Sequence, residues 1–350
     1  MQKHIQLGKR HRFLTRGMPH IVGMGGVAVL LLAYSVATIS ARPARQAKEG
    51  TSPAPPQVSG PPVTVLYQDA NPYVEWSTEQ LIKAVPKLKG LEPATSQDSL
   101  PTILKKTGEN VDSFFQNFVN ATARERIYQT ASVPSGRWMN VRDSHHQDGY
   151  YVVLKSSRGG QDRFDEYRMN LKGRPVESAG SKHGFLLTRG FAGDEIYLHP
   201  SRQPESTFRY LGRQSNAGQQ CEVIAFAQRV GQAIPIEFIT GGVSVPMLEQ
   251  GIVWIDCVSH QIVDMQTDLL TPLAQIGLMR STREIEYAPV HFATLDQTFW
   301  LPTEVQVVVS FRGATYTNQH RYSDWKVFKV DTEQTIKGSG LDSQNPNDKR

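Results

Sequence analysis

The chain has 350 residues, 38 basic against 33 acidic side chains, and two cysteines. That length allows one large all-β domain or two of ordinary size. Two cysteines exclude a disulfide-built mini-scaffold and a paired-cysteine zinc site. A net charge of +5 invites a nucleic-acid reading, but such a binder needs its charge on the folded face that meets phosphate. Here Lys3, Lys9, Arg10, Arg12 and Arg16 stand in the first 41 residues with no acid among them, and the remainder is neutral, 33 against 33. No nucleic acid is expected as a partner.

Residues 1–20 therefore read as a basic cytoplasmic tail. Ile21–Ala41 follows without a charge; as a helix it reaches roughly 31 Å, close to the ~30 Å hydrocarbon core. Basic residues ahead of such a span keep the N-terminus in the cytoplasm. The expectation is one transmembrane signal anchor in the inner membrane, with the C-terminal domain in the periplasm or extracytoplasmic space. Ser35-Val36-Ala37 and Ile39-Ser40-Ala41 also offer small residues for a signal peptidase, so cleavage stays open. Residues 42–73 form a linker, with six prolines between 43 and 62; that composition favours an extended stalk over a packed fold.

The exported domain is expected over 74–335, and 336–350 as a disordered tail. Ser77 and Gln80 make a capping box ahead of Leu81, Ile82 and Val85, and Pro86 limits that helix. A longer helix starts near Pro101, with Ile103, Leu104, Val111, Phe114, Phe115 and Phe118 at helical spacing, interrupted at Thr107-Gly108. From about residue 136 the period shifts to two. Strands are expected at Tyr150–Ser156, Asp165–Asn170, Phe208–Gln214, Glu222–Arg229, Ile236–Thr240, Ile252–Asp256, Gln261–Thr267, Thr282–Ala288, Glu304–Phe311 and Thr315–Tyr322. Short glycine-containing gaps make sequence neighbours antiparallel neighbours. Residues 184–206 break the rhythm and read as a short helix or ordered loop. The fold class is α+β: N-terminal helices packed in a curved antiparallel sheet, an open or incomplete β-barrel, preceded by the transmembrane helix.

Chemistry is sparse. HExxH, GxSxG, GxxxxGK[ST] and CxxC patterns are absent from the sequence, and no enzyme, catalytic residue, metal site or cofactor is expected. Asp143-Ser144-His145-His146-Gln147-Asp148 holds metal-ligand residue types but reads as a polar hairpin tip. Phe114, Phe115 and Phe118 read as core or as the lining of an apolar cavity, facing Val305, Val307, Val309 and Phe311 across the concave side. Cys221 opens one strand and Cys257 closes another; an oxidising compartment favours a disulfide between them, the alternative being two separate thiols.

Three stretches carry a resemblance: Gly251-Ile252-Val253-Trp254-Ile255-Asp256, Phe299-Trp300-Leu301-Pro302-Thr303-Glu304 and His320-Arg321-Tyr322-Ser323-Asp324-Trp325. Over roughly residues 74–330 the chain resembles the outer-membrane lipoprotein-sorting and carrier superfamily, and within it an uncharacterised family of exported bacterial proteins. The resemblance implies a half-open barrel over a helical lid, with a concave apolar surface for an acyl chain or hydrophobic segment. The anchor and stalk depart from soluble carriers. The expected function is a membrane-tethered domain binding a lipid, acyl chain or lipidated protein. The alternative is a structural or protein-interaction domain with a filled barrel.

Overall fold

The computed structural model describes residues 31–33, 66–135, 138–158, 161–176, 190–240 and 243–328. The basic tail, most of Ile21–Ala41, the proline-rich stretch, the glycine pairs at 159–160 and 241–242, residues 184–189 of the expected short helix or loop, and the C-terminal tail lie outside the described residues. In chain order the strands are β1 (Leu31–Ala33), β2 (Glu92–Pro93), β3 (Ala121–Ser135), β4 (Trp138–Arg158), β5 (Gln161–Asn170) and β6 (Pro175–Val176). Then come β7 (Ser206–Asn216), β8 (Gln219–Gln228), β9 (Ile236–Thr240), β10 (Val243–Met247), β11 (Glu249–Asp256) and β12 (Ile262–Leu269). The last three are β13 (Leu278–Phe292), β14 (Gln297–Phe311) and β15 (Ala314–Val327).

Twelve strands form one sheet in the order β2-β7-β8-β11-β12-β13-β14-β15-β3-β4-β5-β6, and every neighbouring pair is antiparallel. Its two edges are two-residue strands that do not pair with each other, so the sheet stays open. Short edges limit the unpaired backbone offered to other chains. The sheet is also curved. β5 and β14 lie four strand spacings apart, about 19 Å on a flat sheet. Yet Phe118 packs against Phe164 of β5 at 5.7 Å and Phe299 of β14 at 5.3 Å between ring centroids.

The two helices divide between the faces of this sheet. The long helix Leu100–Asn117 buries Ile103, Thr107, Gly108 and Val111 in the larger core, together with Ile224, Val253, Met265, Ile285 and Val305. Gly108, which interrupts the apolar stripe, is a point of close approach: a Cβ there would meet Gln203 Nε2 at 2.7 Å and the Leu198 carbonyl at 3.1 Å. The short helix Thr78–Ala84, with its capping box formed, lies on the other face. There Leu81, Val85 and Leu88 cover Val223, Ile252 and Trp254. The expectation of both helices inside one concavity is corrected here. β8 and β11 are apolar at successive positions and need cover on both sides, which gives them almost continuous burial.

Further expectations change. β3 was not anticipated. Residues 143–148 are no hairpin tip but lie in the middle of β4, where His145 pairs with Gln129 and His146 with Tyr128. Strand alternation therefore splits residues 144–148 of that cluster between the two faces. Of the expected transmembrane segment, Leu31–Ala33 is extended and pairs with β9; the edge of the β9–β10 hairpin offers unpaired backbone groups that an apolar segment satisfies. No helix among the described residues is long and apolar enough to cross a membrane.

The expected disulfide is not formed, and both cysteines are free. Cys221 stands opposite Asp256 in the β8–β11 register, so Cys257 falls one position further along, where its N–H donates to the Gln220 carbonyl at 3.0 Å. That single step turns the two sulfurs toward opposite faces.

Candidate functional site

The last turn of the long helix builds the candidate site. Phe114 and Phe118 are four positions apart and share a face; their rings stack at 4.8 Å. Phe115 turns outward onto Phe164 and His199. The turn is fastened from the sheet: the Lys155 ammonium donates to the carbonyls of Phe115 at 2.9 Å and Gln116 at 2.7 Å. A cation at the open carbonyls of a helix C-terminus is electrostatically favoured.

Beneath this turn is a small pocket walled by Phe114, Phe118, Tyr151, Phe191, Trp300 and Trp325, with Glu195 and Tyr287 as its polar members. Its closed walls leave room for about one water molecule. Two irregularities in the strands shape it. The β13–β14 register shifts between Glu286 and Tyr287, and the β15–β3 register shifts between Ser323 and Lys326, where Asp324 takes a left-handed φ of 55°. Bulges of this kind re-aim side chains next to binding sites; here they flank Tyr287 and Trp325.

One side of the pocket is a strap, residues 190–198, held down by the partly buried Glu166 and the buried Asp194 and Glu249. The Glu166 carboxylate accepts the backbone N–H of Phe191 at 2.7 Å and of Ala192 at 3.3 Å, and also the Tyr151 hydroxyl. Gly190 is needed there, because a Cβ would collide with that carboxylate. Asp194 lies 3.4 Å from the Arg283 guanidinium, which bonds Glu249 at 2.7 Å; the Tyr197 hydroxyl donates to Glu249 as well. Burial pushes the Glu166 carboxyl up to about 7, against the pull of the Tyr151 bond. Burial, then the neighbouring charge of Asp194, pushes Glu195 up to about 8.

Glu195 and Tyr287 differ from the other anchors. Glu195 is 8% exposed and Tyr287 is 7% exposed. The Tyr287 hydroxyl has no hydrogen-bond partner among the described residues, and no hydrogen bond contributes to the shift of Glu195. Buried polar groups are nearly always paired, so such exceptions call for an explanation.

Of the residues expected to line a cavity, Phe114 and Phe118 reach this pocket and Phe115 sits at its outer side. Val305, Val307 and Val309 are fully buried in the same core but do not line the pocket, and Phe311 packs against Phe238 at 5.4 Å. Trp300 and Trp325 lay inside the sequence stretches singled out for their strand geometry. Glu195 fell in the stretch that broke the strand rhythm, where no periodic signal marks it.

Neither a family model nor a curated protein matches the chain. Among solved structures, the chain is similar to a putative outer membrane lipoprotein-sorting protein domain from Vibrio parahaemolyticus, at TM-score 0.36 and 11% identity over 66% of this chain and 94% of that one. It is similar also to a LolA superfamily protein from Nitrosomonas europaea, at TM-score 0.27 and 11% identity over 66% and 94%. A third is the lipoprotein LppX from Mycobacterium tuberculosis, at TM-score 0.23 and 12% identity over 66% and 99%. At these scores and identities the similarities carry no argument about this chain.

Proposed function

We propose that this chain is an exported, membrane-tethered domain that binds the acyl chain of a lipid or of a lipidated protein. The observation that carries the reading is the aromatic pocket under the last turn of the long helix, with Phe114, Phe115 and Phe164 only partly buried around it. Aromatic walls with few polar groups are what small apolar ligands select. The pocket is closed, so a chain enters by lifting the Phe114–Phe118 turn, and Lys155 is the latch. The basic leader and the uncharged Ile21–Ala41 support export; for that stretch to serve as anchor, Leu31–Ala33 has to leave its pairing with β9. The reading assigns the chain no catalysis and no cofactor. Titrating the full-length protein with a dansyl-labelled acyl chain tests it: saturable binding that Phe114→Asp abolishes is expected, and no saturable binding would contradict it.

A second reading has its own support. Val305, Val307 and Val309 show no exposure and Phe311 only 3%, so much of the concave face is filled by its own side chains. That suits a structural or protein-interaction domain, for which the labelled chain would not bind.

A further inference from the structure

We propose that the outer edge of β9 is a strand-acceptor site for an extended apolar segment of another polypeptide, filled by Leu31–Ala33 of its own chain only while Ile21–Ala41 lies outside the membrane. The inference rests on the anchor reading of Ile21–Ala41 and is independent of acyl-chain binding.

The acceptor is a hairpin fixed to the main sheet. β9 pairs with β10 from Ile236 opposite Met247 to Thr240 opposite Val243. Ile236 and Phe238 of β9, with Val245 and Met247 of β10, are buried in the larger core, and Phe238 packs against Phe311 of β14 at 5.4 Å. Its two edges are treated in opposite ways. On β10, Pro246 has no N–H to give to a further strand. The Tyr67 hydroxyl donates to the Pro246 carbonyl at 3.2 Å and accepts the Leu248 N–H at 2.8 Å, which closes that edge. β9 holds no proline between Ile236 and Thr240, and its outer edge carries a strand. Leu31 stands opposite Ile239, Leu32 opposite Phe238 and Ala33 opposite Glu237, antiparallel. Main-chain pairing along a sheet edge is a recurrent way of holding an extended peptide.

The residues seated there define the chemistry of the occupant. Leu31 is the midpoint of the uncharged stretch Ile21–Ala41. In a spanning helix the rise from Leu31 to Ala41 is about 15 Å, which sets Leu31–Ala33 near the middle of the hydrocarbon layer. From there the segment does not reach a hairpin outside the membrane, so the two seats exclude each other. In the anchored protein the β9 edge is left with N–H and C=O groups to satisfy, and such an edge is a template for another chain. The segment it takes here is extended, uncharged and apolar, and one of the same kind fits again. A five-residue strand offers few ladder bonds, so the hold is brief and exchangeable.

Cross-linking of the full-length protein in phosphatidylcholine nanodiscs tests the site. Cys257→Ser removes the partly exposed native thiol, and Cys221 is buried. Glu237→Cys places a reporter on β9 at a half-buried position. The probe is a peptide of residues 28–36, AVLLLAYSV, with flanking lysines for solubility and Ala33→Cys, under mild oxidation. A mixed disulfide at position 237 is expected. Its yield should fall about ten-fold with a peptide that also carries Leu32→Pro, as the loss of one or two backbone hydrogen bonds implies. A second full-length protein, with Ala33→Cys, Glu237→Cys and Cys257→Ser, reports the chain's own segment. Made by cell-free synthesis, it should form the internal disulfide without membranes and lose it when nanodiscs are supplied. Thermal unfolding confirms that both variants fold. Absence of the mixed disulfide, equal yield with Leu32→Pro, or no internal disulfide even without membranes overturns the acceptor site and leaves the anchor reading intact. An internal disulfide that persists in nanodiscs overturns the anchor reading and the inference together.

Discussion

The Arg168 guanidinium meets the Glu125 carboxylate with two bonds, Nε to Oε2 at 2.7 Å and Nη2 to Oε1 at 2.9 Å, in a pair almost wholly buried. His320 Nδ1 at 2.9 Å and the Tyr322 hydroxyl at 2.8 Å reach the same Oε1. The cluster joins β3, β5 and β15 on the concave face. Burial alone would raise the Glu125 carboxyl; the charge of Arg168 and the bonds from His320 outweigh it and hold the group down at about 2. A folded-state value below the ordinary one means stability that is present above about pH 4.3 and lost as pH falls toward 2. Urea unfolding across the acid range should show this loss, with a flatter acid limb in Glu125→Gln. Arg168→Met should cost about 3–5 kcal/mol, as expected when a buried charge loses its partner. An unchanged acid limb in Glu125→Gln would contradict the assignment.

Glu195 titrates with the opposite sign. Its folded-state value, about 8, lies above the ordinary carboxylate value. Its contribution is therefore fully present below about pH 4.3 and disappears as pH rises through 8. Glu166, raised to about 7, acts in the same direction. The protein should lose stability between about pH 4.3 and pH 8, and Glu195→Gln should flatten that slope. Thermal unfolding at a series of pH values measures it; a wild-type slope kept by the variant would count against the buried acid.

The two thiols should label separately. Cys221 is fully buried, and burial, with the charge of Cys257, pushes it up to about 12; Cys257 is partly exposed. Maleimide should take up one equivalent per native chain and two after denaturation without reductant. No uptake in denaturant would mean that a bond forms in spite of the register.

Lys155→Met removes the cation that fastens the last turn of the long helix. The expected effect is a stability loss of about 0.5–1.5 kcal/mol with faster uptake of an acyl chain in stopped-flow mixing. Phe118→Ala removes a ring from the core itself and should cost about 3–5 kcal/mol. A latch variant that slows uptake would contradict the proposed direction of entry.

Some of this was legible in the chain and some was not, for physical reasons. The long helix announced itself through Ile103, Val111 and Phe118, and β14 through its alternating valines. β3 did not, because its inward positions include Glu125 and Gln129, both buried; a polar core residue erases the period-two signal. The pairing of the cysteines hung on a one-residue register, which no local pattern encodes. The division of the two helices between opposite faces was written in the continuous apolar runs of β8 and β11, which resemble helix-covered strands only once their neighbours are known. At the site, the aromatic walls were visible as residues without a place, while Glu195 acquires meaning only from its burial.

Mass spectrometry of the organic extract from the full-length protein, purified gently from its native membrane, tests the central claim most directly. The account predicts acyl-bearing molecules in near-stoichiometric amount, and their depletion from Phe114→Asp prepared in parallel. A clean extract from the wild-type protein, together with no uptake of an added acyl ester, would contradict it.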